Sequence, residues 1–150
     1  MNRYFEDVSV GDRHSAGSVE VTEAEVLAFA RAFDPQPMHL DAEAAARSRF
    51  GGIIASGWHT AALVMRLIAL ARPLGDTEVL GIGVENLRWR QPVRPGDTLH
   101  VDIEILSAEP SESNPGFGIV KLLITTRNQR GETVMTHSPV LWVPRRDSGA

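Results

Sequence analysis

The 150-residue sequence contains no cysteine. Disulfide frameworks, thiolate metal sites and cysteine nucleophiles are thereby excluded together. Basic charge is also scarce: 15 Lys and Arg stand against 19 Asp and Glu, a net charge of -4 with both signs interspersed. There is no electrostatic footprint for a nucleic-acid backbone. Long apolar runs are missing as well. Stretches such as Ala61–Met65 are far too short to span a bilayer, and the opening MNRYFEDVSV carries no apolar targeting core. The expectation is a cytoplasmic protein with no membrane and no nucleic acid among its partners.

Several chemical signatures are missing too. GIIASG has the glycine spacing of a phosphate loop, but Trp58-His59 stands where Lys and Ser/Thr must reach phosphate and metal. Ser56 has Ile54 and Trp58 two residues away on either side, so there is no nucleophile elbow. The five histidines form no H-x-x-x-H pair, and the oxygen-rich stretches lack calcium-loop spacing. No metal site is expected.

What is present is an ordinary globular composition, 43% hydrophobic and 23% charged, long enough to bury a core without staples. One domain over residues 1–150 is expected, with about residues 145–150 as a frayed tail. YFEDVSVGDR reads as a short extended piece and AGSVEV as a short strand. TEAEVLAFARAF starts a helix with Thr22 and Glu25 at capping-box spacing, and Val26, Phe29, Ala30 and Phe33 recur along one face. Pro35 ends it. Asp41 caps a second short helix through AEAAARSRF, closed by Gly51-Gly52.

Trp58–Ala71, WHTAALVMRLIALA, is apolar on nearly every face, with Arg66 its only formal charge. Such a helix is expected to be surrounded. The second half of the chain supplies strands to surround it. VLGIGVENLRWR is one, and DTLHVDIEILSAE is another, with Leu99, Val101, Ile103 and Ile105 facing one way and Thr98, His100, Asp102 and Glu104 the other. FGIVKLLITTRNQRGETVMTHSPVLWV reads as two more, turning at Asn128–Gly131. The fold class is α+β: a curved antiparallel sheet around a central apolar helix.

The residues left for chemistry are Asp34, His39 and Gly57. Asp34 and His39 stand five apart on a connector stiffened by Pro35 and Pro37. A carboxylate and an imidazole reaching one water can hold it, take its proton and return a proton elsewhere. Gly57 opens the apolar helix, where its N–H can donate to a carbonyl oxygen gaining negative charge. Spacing alone favours a structural reading: Asp before Pro is a common turn residue, and a histidine beside a helix cap is more often structural than catalytic. His14 is expected in solvent, His100 on the polar strand face, His137 outward or packed, and His59 as a satisfied histidine of the core or its rim.

At these residues the sequence resembles the MaoC-like acyl dehydratases, whose best-known members are the R-specific enoyl-CoA hydratases. The resemblance runs through RYFEDVSVGD, VTEAEVLAFARAFDPQPMHLD, RFGGIIASG, LRWRQPVRPGDTL and NQRGE in the family's order. Asp34, Pro37 and His39 match its signature of an Asp and a His five apart with a proline two before the His. The resemblance implies the hotdog fold, a long helix wrapped by an antiparallel sheet. It implies a hydro-lyase in which Asp34 and His39 activate the water added to a 2-enoyl thioester, while the Gly57 N–H binds the thioester carbonyl. It also implies no metal or redox cofactor, coenzyme A or a carrier-protein arm as part of the substrate, and a homodimer or larger homo-oligomer.

Three positions depart from the family: Phe33 stands for a common Gly, Gln36 for Asn and Ser56 for His. Phe33 is expected to add bulk beside the acid and Gln36 to reach further. Ser56 with Trp58 is expected to reshape the acyl channel, so that the acyl group is not a short linear chain. Arg88, Arg90 and Arg94 suit coenzyme A phosphates or a solvated surface equally. A hotdog acyl-CoA thioesterase and a non-catalytic acyl-thioester-binding subunit of a hetero-oligomeric dehydratase are the alternative functions.

Overall fold

Period-two alternation sets the architecture. In the computed structural model, which describes residues 1–147, strand β3 (Thr98–Pro110) buries Leu99, Val101, Ile103 and Ile105 and turns His100 and Asp102 outward. It lies between β1 (Arg13–Glu20) and β4 (Phe117–Arg127); β4 pairs with β5 (Thr133–Pro144), and β5 with β2 (Leu80–Trp89). All pairings are antiparallel, giving one five-stranded sheet of order β1-β3-β4-β5-β2 that does not close. Bulges bend it. One falls at Ser15/Gly17, where Gly17 has φ 88, and two interrupt β2, the second where Asn86 has φ 52. Each inserts an extra residue that increases local twist, and the sheet curls.

Helix α4 (Gly57–Ala71) sits in the curl and buries His59, Thr60, Leu63 and Val64. Leu63 and Val64 join Val21, Val26, Leu99, Val101, Ile103, Ile124 and Met135 in the core. The expectation of a helix surrounded on every side is not met within one chain. Met65 and Leu70 of α4 face out, as do Leu80, Ile82 and Val84 of β2. The sheet is too narrow to close around the helix, because β2 is an edge strand exposed along nearly its whole length.

Helix α1 (Glu23–Phe33) begins as expected, the Thr22 hydroxyl accepting from the Glu25 N–H at 3.3 Å. Phe33 departs from the expected apolar face; it is 76% exposed, with its ring tilted against Phe29. Helix α3 (Ala42–Arg47) is capped by the Asp41 carboxylate, which accepts from the Glu43 and Ala44 N–H groups. It stops at Arg47, short of the glycine pair. The stretch 5–7 is a single 3-10 turn rather than extended chain, because Asp7 turns back to accept from the Tyr4 N–H.

The expected frayed tail is fastened at its start. The Arg145 N–H donates to the Gly116 carbonyl, and the Arg145 and Arg146 guanidiniums pair with Glu6 and Asp7. Residues 148–150 of that tail lie outside the described residues.

Two of the quoted runs meet away from the site. Asp97 is buried, accepting from the Arg94 N–H and from the Gln129 amide, each at 2.9 Å, while Gln129 accepts from the Thr98 N–H. RPGDTL and NQRGE therefore lock the β2–β3 and β4–β5 turns together. This lock fixes the segment 91–93 that borders the cleft described below. Among the described residues no helix is long and apolar enough to cross a membrane.

Candidate active site

Asp34 ends α1, its N–H donating to the Ala30 carbonyl at 2.9 Å while its own backbone leaves the helical region. Pro35 follows and cannot continue the helix. Pro37 then opens a one-turn helix, α2 (Pro37–Leu40), at the first position, where its missing N–H and fixed φ cost nothing. This turn lies within the expected connector stiffened by Pro35 and Pro37. It points His39 inward, where only 4% of the residue remains exposed.

The His39 ring is held at Nδ1 and faces Asp34 at Nε2. Nδ1 lies 2.8 Å from the Ile54 carbonyl oxygen, and Nε2 lies 3.3 Å from Asp34 Oδ2. A carbonyl oxygen can only accept, so Nδ1 carries a proton and Nε2 of the neutral ring presents its lone pair. The partner segment is itself tied down. The Ile54 N–H donates to the Met38 carbonyl, and the Ala55 N–H donates to the Val93 carbonyl at 2.7 Å.

Asp34 is held more tightly than its position in a turn requires. Ser56 Oγ donates to Oδ2 at 2.6 Å, and Gln36 Nε2 donates to Oδ1 at 2.7 Å. The Ser56 bond is the largest cause holding the Asp34 carboxyl below its ordinary range; the Gln36 bond adds to it, partial burial opposes them, and His39 pulls the same way only when protonated.

An open cleft of about 370 Å³ lies in front of the pair, lined by Asp34, His39, Gly57, Trp58, Trp89 and Arg90 among others. Gly57 is the first residue of α4. First-turn amides have no partner within their own helix, so an incoming carbonyl oxygen would find a donor and the positive end of the helix dipole there. The Trp89 indole covers this glycine, Nε1 donating to the Gly57 carbonyl at 2.9 Å.

Asp34, His39, Gly57, Gln36 and Trp58 thus meet at one cleft. Ser56 does not line it; the serine is buried, and its hydroxyl acts on Asp34 instead of shaping an acyl channel. Phe33 adds no bulk there, since its ring is turned to solvent. The extra length of Gln36 is spent on the Asp34 contact. Among the arginines only Arg90 borders the cleft; Arg94 is bound to the Phe50 carbonyl and Arg88 to the Leu87 carbonyl.

Trp89 and the Ile54 carbonyl belong to the site and were missed in the sequence, where Trp89 is one residue of a strand and a backbone carbonyl leaves no signal. His59 departs from expectation. It is buried and stacked on Phe29 at 5.0 Å, with Nδ1 lacking a partner among the described residues. His137 is packed, likewise without a partner at Nδ1. His14 is half-buried rather than solvated, and His100 is exposed.

An antiparallel sheet curled around one apolar helix, with an Asp–His pair beside that helix's first turn, defines a hotdog-fold domain of the acyl dehydratase type. The chain belongs to the MaoC-like domain family, whose model matches residues 8–127. It is 47% identical to the MaoC-like dehydratase from Rhodospirillum rubrum, whose crystal structure covers 95% of this chain and 97% of that one with a TM-score of 0.89. The R-hydratase PhaJ1 from Pseudomonas aeruginosa matches with 29% identity and a TM-score of 0.78 over 97% of this chain and 88% of its own. The 3-hydroxybutyryl-CoA dehydratase of Methylorubrum extorquens is 29% identical over 145 residues, 96% of this chain and 86% of that protein.

Proposed function

We propose that the protein is a hydro-lyase that adds water reversibly across the double bond of a 2-enoyl thioester, with coenzyme A or a carrier-protein arm as the thiol. One observation carries the reading: a buried imidazole whose free nitrogen meets a clamped carboxylate at 3.3 Å, at the mouth of a cleft that also contains a helix-terminal glycine. Similarity to a 3-hydroxybutyryl-CoA dehydratase and an R-hydratase supports the same reaction class.

In the hydration direction, a water between His39 Nε2 and Asp34 gives one proton to Nε2, because the neutral ring can only accept there. The water oxygen bonds to C3. The π electrons of C2=C3 move toward the thioester carbonyl, whose growing negative charge meets the Gly57 N–H. The Asp34 carboxylate steadies the imidazolium formed beside it. Nε2 then returns its proton to C2 on the face from which water attacked. One C–O and one C–H bond have formed, the π bond and one O–H bond have broken, and His39 is neutral again. Run backward, the same groups dehydrate a 3-hydroxyacyl thioester. The scheme calls on no metal and no redox cofactor.

A homodimer is part of the proposal. Among the described residues the outer edge of β2 has no neighbour in the sheet, and the apolar residues left uncovered on β2 and α4 suit a second copy.

The test is loss of enoyl-thioester absorbance when the purified protein meets a panel of 2-enoyl-CoAs, with free thiol assayed in parallel. Hydration without thiol release is expected. Thiol release without hydration would move the assignment to a thioesterase.

A further inference from the structure

Serine at a helix N-cap ordinarily turns its side chain onto the helix, accepting from an amide of the first turn. Ser56 is the N-cap of α4 and makes no such bond. Gln36 is the N-cap of α2, and its side chain makes none either. Both are directed to a third residue: Ser56 Oγ donates to Asp34 Oδ2 at 2.6 Å and Gln36 Nε2 donates to Asp34 Oδ1 at 2.7 Å. Two neighbouring caps have thus given up their usual partners for the two oxygens of one carboxylate.

We propose that Ser56 and Gln36 are positioning residues, a two-point clamp that fixes the Asp34 carboxylate as an acceptor beside His39 Nε2. The proposal rests on the hydro-lyase reading and extends it to the two residues that hold its carboxylate. A carboxylate on a turn can rotate about its last side-chain bond, but one bonded at each oxygen cannot do so without breaking a charge-assisted bond. The groups in contact with Asp34 are His39 from α2, Gln36 from the preceding turn and Ser56 from the start of α4, and Arg90 lines the same cleft. Both hydrogen bonds favour the ionised carboxylate.

The clamp is tested by titrating the Asp34 side-chain carbon by NMR in the wild type, Ser56→Ala, Ser56→Thr, Gln36→Leu and Gln36→Glu, beside kcat and KM for enoyl-CoA hydration. In Ser56→Ala and Gln36→Leu the Asp34 midpoint moves to higher pH. Each loses about tenfold to a hundredfold in kcat, the size of one hydrogen bond to a charged group, with KM little changed. Ser56→Thr restores the hydroxyl and returns the Asp34 midpoint and kcat toward wild type. Gln36→Glu sets a second carboxylate against the first and raises the Asp34 midpoint further.

Asp34 midpoints that stay at the wild-type value in both Ser56→Ala and Gln36→Leu overturn the clamp, whatever happens to the rate. A wild type that hydrates no enoyl thioester overturns the hydro-lyase reading instead, and the NMR titration still decides whether the clamp exists.

Discussion

The indole of Trp89 occupies the space in which a Cβ on residue 57 would stand: such an atom would lie 2.5 Å from Trp89 Cε2 and 2.7 Å from Nε1. The same ring donates to the Gly57 carbonyl. Glycine at this position is therefore required by a neighbour 32 residues away as well as by any carbonyl that must approach its N–H.

For Gly57→Ala, helix propensity favours alanine by up to about 1 kcal/mol. Overpacking costs about 1–3 kcal/mol, and the contact with Trp89 is close enough for it to win. The expected outcome is a lower Tm, altered Trp fluorescence and loss of most hydration activity. Adding Trp89→Leu removes the clash and recovers Tm but not the rate. An unchanged fluorescence spectrum and rate in Gly57→Ala would contradict this contact.

Acid should weaken the fold in two windows. Burial pushes the His59 and His137 imidazoles below their ordinary range; a smaller opposing influence at His59 comes from Glu25. The unfolded chain therefore binds protons near pH 6.5 that the native state resists, and stability falls as pH drops below about 6.5. Asp34 acts lower. Its carboxyl is depressed in the fold, so its contribution is present above the unfolded value of about 3.9 and is lost below it. Urea unfolding at pH 7.5 and 5.5 should show the first window, narrowed in His137→Leu. A wild type equally stable at both pH values would refute it.

Light scattering should give at least twice the chain mass of 16.4 kDa. Val84→Arg, which puts a charge in the uncovered apolar row of β2, should shift the protein toward the single-chain mass. A monomeric wild type would show that β2 and α4 are covered in some other way.

The cleft is bordered by two tryptophans set edge to face at 5.1 Å. Trp58→Ala should widen the acyl range, and the wild type should favour branched or substituted enoyl thioesters over short linear ones. Comparable turnover of both kinds would count against a shaped acyl site.

How much of this was legible in the sequence follows from the range of each interaction. The strands of the second half were readable because alternation is local, as with Leu99, Val101, Ile103 and Ile105. Thr22 and Asp41 were readable as caps for the same reason. The one-turn helix at Pro37–Leu40 was hidden because two prolines within three residues read as a break, although the second of them starts a turn. The contacts that define the site join residues 15, 22 and 32 apart: His39 to Ile54, Asp34 to Ser56, Gly57 to Trp89. No local pattern encodes them. The side-chain directions of Phe33 and Ser56 were misjudged on that account, and the enclosure of α4 was overestimated because apolarity does not say which chain does the covering.

The central claim is that Asp34 and His39 together perform the proton chemistry of enoyl-thioester hydration. The most direct measurement is steady-state hydration of the best 2-enoyl-CoA by the wild type, Asp34→Asn and His39→Gln, each verified as folded by circular dichroism. Both variants should lose at least about a thousandfold in kcat, near the range for a positioned acid–base group. A wild-type rate retained in either folded variant would contradict the account.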